Sequence, residues 1–146
     1  MSHTKATGHQ KNISALDVSS LVNQWFDGVK ERDVSKLLPL LHPDIRLTVP
    51  FQTGVILGNI NTLETFRTFE EMVSNFIYKS VLIDGNIAAL RFEGDINGER
   101  LQGVDFFHFN SEGQVEKIEV MARPLAAVQG LQKAIEGKML NNPSED

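Results

Sequence analysis

The stretch NGERLQGVDFFHFNSEGQVEKIEVMAR, residues 97–123, decides the fold. It opens on Asn97-Gly98, the pair that best tolerates the two positive φ angles of a type I′ hairpin turn. Glu99–Phe109 then alternates as a strand, Asn110–Gly113 supplies a second turn, and Gln114–Ala122 alternates again. Upstream, Phe76–Ile83 and Asn86–Ile96 read as two more strands, split by Asp84-Gly85. The second half of the chain is thus a meander of antiparallel strands. Downstream, Pro124 suits the first turn of a closing helix with the apolar stripe Leu125, Val128, Leu131, Ile135 and Met139.

Ahead of the meander the apolar period becomes helical. Val18, Leu21, Val22, Trp25, Phe26 and Val29 define one buried stripe. Ser14 and Asp17 have capping-box spacing before it, and Ile13 is placed to staple onto Val18. Asp33 can cap a second, short helix with the stripe Val34, Leu37, Leu38 and Leu41, which Pro43 stops. Asp44–Val49 alternates as a short strand, and Pro50–Asn59 reads as a loop. Asn61 and Glu64 mark a third helix, continued by Leu63, Phe66, Phe69 and Val73. The order α-α-β-α-β-β-β-β-α gives an α+β class, with a long antiparallel sheet that must be curved or covered and three early helices able to cover one face.

The 146 residues suffice for one domain, expected over residues 13–139 between a disordered tail (1–12) and a polar tail (140–146). His3 and His9 fall in the first tail, which has no apolar region of the kind a signal peptide needs. The absence of cysteine excludes disulfides, thiolate metal sites and a cysteine nucleophile, and fits a cytoplasmic location. A net charge of −5 argues against nucleic acid as a partner, and no apolar run is long enough for a membrane span. Nine Phe against one Tyr and one Trp supply apolar bulk that asks for no hydrogen-bond partner, which suits a deep core or a greasy pocket.

Several motifs together resemble the nuclear transport factor 2-like superfamily, with its SnoaL-like cyclases and ketosteroid isomerases. They are Val29-Lys-Glu-Arg-Asp33, His42-Pro-Asp44, Gly58 before the third helix, Gly103-Val-Asp-Phe-Phe-His-Phe-Asn-Ser-Glu-Gly113, the strand that follows it, and Arg123-Pro124-Leu125. The resemblance covers about residues 14–135. It implies a curved antiparallel sheet wrapped around the N-terminal helices as a cystatin-like cone, with an apolar pocket at its open end, and a homodimer formed through the sheet. Fold does not fix reaction, because such superfolds host many chemistries.

On that resemblance Asp105 matches the ketosteroid isomerases' protonated acid, which donates a hydrogen bond to a substrate oxyanion. Among Phe107, Phe109, Ile118 and Val120 an aspartate would be desolvated, which raises its pKa and keeps it neutral. Alternatively, Asp105 is satisfied by backbone amides or by Arg123. Two positions depart from the pattern. The family's general-base carboxylate falls on Val49, which cannot accept a proton, and its tyrosine donor falls on Trp25. The expected pocket comprises Trp25, Val49, Phe51, Phe66, Phe92, Phe107, Ile118, Val120 and Arg123 around Asp105.

The epoxide-hydrolase branch uses an Arg-x-Asp strand motif that Arg91-Phe92-Glu93 resembles, but its further Asp falls on Val120. Regular alternation turns Arg91, Glu93 and Asp95 outward, and a bulge would reverse that. Phe106 and His108 alternate to the outer face, and His42 reads as structural. The sequence holds no His-Glu-x-x-His, phosphate-cradling glycine motif or Gly-x-Ser-x-Gly elbow, so no metal or nucleotide cofactor is expected. Three readings follow. The chain is an acid-assisted isomerase, cyclase or lyase using Asp105, a non-catalytic binder of a small apolar molecule, or a dimeric scaffold with a filled pocket.

Overall fold

A computed structural model describes residues 14–141. The expectations for Ile13, His3, His9 and the first tail lie outside the described residues. Helix α1 (Ala15–Glu31) starts at Ser14, whose side chain accepts the Asp17 N–H at 3.2 Å. It buries Val18, Val22 and Trp25, with Leu21, Phe26 and Val29 half-buried beside them. Asp33 caps α2 (Val34–Leu37) by accepting the Ser35 N–H at 3.0 Å. The expected stripe through Leu41 breaks early. Pro39 has no N–H to continue the helical ladder, so Leu38–Leu40 tighten into a 3₁₀ turn and Leu41 begins strand β1 (Leu41–Thr48).

Two further boundaries differ from the sequence pattern. The expected loop contains a two-residue strand, β2 (Ile56–Leu57), which pairs with β1 through Arg46↔Leu57 and Leu47↔Ile56. Helix α3 (Asn59–Met72) begins before Asn61 because Gly58, at φ +95°, turns the chain directly into it. Asn61 then donates its side-chain amide to the Leu57 carbonyl instead of capping.

Strands β3 (Ser74–Asp84), β4 (Ile87–Ile96), β5 (Glu99–Phe109) and β6 (Val115–Arg123) form the meander. The sheet order is β2-β1-β6-β5-β4-β3. All pairs are antiparallel except β1 with β6, which run parallel because the chain returns to β1 only after α3 and three strands. Asn97 and Gly98 take φ of 50° and 80°, as a type I′ turn requires. The first hairpin turns at Gly85-Asn86, and the Asn110 side chain closes the last turn by accepting the Glu112 and Gln114 N–H groups, each at 2.9 Å.

The β4–β5 register runs without a shift from Ile87↔His108 to Ile96↔Glu99. Alternation therefore holds along both strands. Ala88, Leu90 and Phe92 face the helices together with Leu101, Asp105, Phe107 and Phe109, while Arg91, Glu93 and Asp95 face away. Helix α4 (Leu125–Asn141) closes one end of the cone, burying Ala127, Val128 and Leu131 against Val73, Phe92, Ile96 and Leu101. Leu125, expected in its stripe, is 70% exposed because the helix meets the sheet only from Ala127 onward.

Candidate functional site around a buried aspartate

Strand β5 carries Asp105 on its inner face between the buried Phe107 and Gly103. Gly103 is required there because a Cβ at that position would collide with the Phe92 ring and the Met121 carbonyl. Asp105 is 2% exposed and accepts one side-chain hydrogen bond, from the Tyr78 hydroxyl at 3.1 Å. Tyr78 itself accepts the Trp25 indole N–H at 3.1 Å. A chain of hydrogen bonds thus runs from α1 through β3 to β5. Trp25 is clamped edge-on by Phe66 and Phe107, at ring-centroid distances of 5.4 and 5.1 Å, so its N–H is aimed rather than free.

Burial pushes the Asp105 carboxyl up to about 7, with the Tyr78 hydrogen bond pulling the other way. Burial, and then the neighbouring Asp105 charge, raise Tyr78 well above the ordinary phenol value. Below about pH 7 the pair therefore favours its neutral form. With Asp105 protonated, the phenol oxygen can receive both the Trp25 N–H and the Asp105 O–H, which frees the phenol proton for a third partner. With Asp105 ionised, Tyr78 must give that proton to the carboxylate.

Asp105 faces a small cavity of about 30 Å³, lined also by Leu47, Val49, Phe51, Phe66, Phe92 and Val120. That volume has room for a water molecule or two and not for a ligand of several heavy atoms. Five of the expected pocket residues, Val49, Phe51, Phe66, Phe92 and Val120, meet Asp105 there. Four do not. Trp25 reaches Asp105 only through Tyr78. Phe107 and Ile118 have no exposed surface and pack in the core behind the cavity. Arg123 lies on the opposite face of the sheet, exposed, donating to Gln102 Oε1 at 2.9 Å. The register explains this: Asp105 pairs with Val120, so Val120 and Ala122 share its face and Arg123 takes the other. Neither Arg123 nor a backbone amide satisfies Asp105; Tyr78 does.

Tyr78 is the residue that sequence reasoning missed. The available signal was its being the single tyrosine of the chain, two positions after Phe76 on one face of an alternating strand.

The remaining charges lie elsewhere. Glu93, on the outer face, is ion-paired with Arg100 and sits 3.3 Å from Arg91, while Arg100 also reaches Asp95 at 3.3 Å. His108 Nε2 lies 3.1 Å from Glu119 on that face, and His42 Nδ1 accepts the Asp44 N–H at 2.9 Å. Among the described residues no group of three or more His, Asp or Glu could hold a metal, and no helix is long and apolar enough to cross a membrane.

Fold and site together define a class: an α+β cone whose curved sheet holds one buried carboxyl in an apolar interior. The chain belongs to the SnoaL-like domain family, whose model matches residues 22–118, within the nuclear transport factor 2-like superfamily. No curated protein matches it by sequence. Among solved structures, a steroid delta-isomerase from Pseudomonas aeruginosa superposes with a TM-score of 0.82 at 24% identity, over 88% of this chain and 96% of that one. A protein with a cystatin-like fold from Silicibacter pomeroyi DSS-3 gives 0.78 at 23% identity, over 84% and 86%. An NTF2-like protein from Burkholderia xenovorans LB400 gives 0.65 at 16%, over 83% and 97%. At these identities the likeness is one of fold.

Proposed function

We propose that this protein binds a small, largely apolar molecule at the open end of its cone, where Asp105, held in place by Tyr78, donates a hydrogen bond to one ligand oxygen. Catalysis of this kind would be acid-assisted isomerisation, cyclisation or elimination, with negative charge developing on that oxygen and no metal or nucleotide taking part. The observation that carries the reading is a fully buried carboxyl whose one side-chain partner is a phenol, facing an otherwise apolar cavity. The solved steroid delta-isomerase of the same fold supports a pocket use of this architecture. Val49 stands where a general base would be needed, so ketosteroid-type proton transfer is expected to be absent; ordinary turnover of a conjugatable 3-ketosteroid would refute this.

The experiment is mass spectrometry of molecules extracted from the native protein, followed by titration of the hit into three proteins. Wild type should bind saturably. Asp105→Leu should bind roughly tenfold more weakly, the cost of about one hydrogen bond. Asp105→Asn, which still donates, should lose less.

One observation favours a second reading. A cavity of about 30 Å³ is far below the few hundred Å³ typical of ligand sites, which favours the cone as a filled scaffold. That reading predicts no extracted molecule and no saturable binding of an apolar probe. Both readings include a homodimer through the outer sheet face, supported by the exposed Leu82, Met121 and Ile77 (74%, 59% and 52%). Sedimentation at micromolar concentration tests it. The lack of cysteine supports the cytoplasm as the proposed location.

A further inference from the structure

We propose that the groove between α1, α2 and α3 is a second ligand site, separate from the Asp105 cavity, that takes a small aromatic molecule bearing a protonated amine. The groove holds about 330 Å³, within the range of small-molecule sites. Val29, Leu37, Leu63, Phe69, Phe76 and Tyr78 supply its apolar lining. Phe66 and Phe69 border both this groove and the Asp105 cavity, so their rings form the partition between the two.

Charge decides the ligand class. The groove carries Glu64, Glu70 and Glu71 against Arg32 and Arg67. Arg67 is already engaged with Glu64 at 2.9 Å, both side chains being more than half exposed. Arg32 sits exposed at the left-handed end of α1, at φ 53°. Glu70 differs from the others. It is half-buried and makes no hydrogen bond to another described residue; partial burial raises its pKa, and only the charge of Arg32 opposes this. A carboxylate held against apolar walls without a donor carries a desolvation cost, which the charge of Arg32 offsets only in part. An ammonium group beside it removes that cost.

The aromatic walls act in the same sense. Phe76 stands edge-on to both Phe69 and Tyr78, with centroids 5.4 and 5.0 Å apart, so neighbouring rings present faces in different directions. Ring faces attract cations. A carboxylate ligand would meet Glu70, and a neutral ligand would leave it unpaired. The inference does not depend on Asp105 or on any reaction.

The test is ¹⁵N NMR titration of the full chain with three probes of similar size: phenethylamine, 2-phenylethanol and phenylacetate, near neutral pH. Phenethylamine should bind saturably and at least roughly threefold more tightly than 2-phenylethanol, with phenylacetate weakest, as expected for a partly exposed ion pair aided by ring faces. Shifts should centre on Val29, Leu37 and Glu70. Glu70→Gln should weaken the amine roughly fivefold and leave the alcohol unchanged. Glu119→Gln, on the far face of the sheet, should change neither. The proposal is overturned by no saturable amine binding, by equal affinity for amine and alcohol, by an amine affinity indifferent to Glu70→Gln, or by shifts centred on Val49 and Val120.

Discussion

Two buried carboxylates on neighbouring strands have opposite fates. Glu93 on β4 is 8% exposed and Asp105 on β5 is 2% exposed, yet one faces out of the sheet and the other faces in. Glu93 is met by Arg100, Arg91 and the Gln102 amide, and the hydrogen bonds from Arg100 and then Gln102 hold its carboxyl below the ordinary value. Asp105 meets one phenol and a ring of apolar side chains, and burial lifts it to about 7. Burial alone therefore does not mark a chemical site. What marks it is burial without a cation, because only that leaves a proton in place for use. The predictions below test that contrast.

The largest expected effect belongs to Asp105. Its native pKa of about 7 stands above the ordinary 3.8. Between those values the native state holds a proton that the unfolded state has lost, so stability falls as pH rises through this window and levels off above it. Integrated over the shift, the group costs on the order of 4 kcal/mol at alkaline pH. Asp105→Asn cannot ionise. Chemical denaturation of both proteins at about pH 4 and about pH 8 should show the variant gaining on wild type by several kcal/mol as pH rises. A gap that stays constant with pH would mean that Asp105 is not neutralised by burial.

Next comes Tyr78. Tyr78→Phe removes the donor to Asp105 and the acceptor for the Trp25 indole, leaving two buried polar groups unpaired. The expected cost is about 1–3 kcal/mol. Because the Tyr78 hydrogen bond lowers the Asp105 pKa, its loss should also move the pH window found for Asp105 upward. Loss of stability with the window unmoved would show Tyr78 acting as packing alone.

Legibility from sequence followed the range of the interaction. Caps at Ser14 and Asp33 and the Asn97-Gly98 turn were readable because each is decided by residues within a few positions. Strand β2 was not, since a two-residue strand exists only by pairing with β1. Asp105 could be singled out by resemblance and by its apolar neighbours. Its partner could not: Tyr78 lies 27 residues away, and the register shift between Tyr78 and Ser80 breaks the simple count along β3. Arg123 was legible and misplaced. Strict alternation from Ile118 through Val120 and Ala122 already sends it outward.

The smallest predicted effect belongs to Glu93, and its sign is the opposite of that for Asp105. A carboxyl held below its ordinary 4.5 contributes stability that is complete above 4.5 and is lost as pH falls through the lower native value. Glu93→Gln should therefore weaken the fold at neutral pH, by less than Tyr78→Phe, since its partners Arg91 and Arg100 stay about half exposed to water. The two proteins should converge on acidification. Paired with the Asp105 series, this gives two differences of opposite sign: as pH rises, Glu93→Gln falls behind wild type and Asp105→Asn gains on it. If Glu93→Gln instead gained on wild type as pH rose, as Asp105→Asn should, the outer cluster would resemble the inner site, and a cation would not be what separates them.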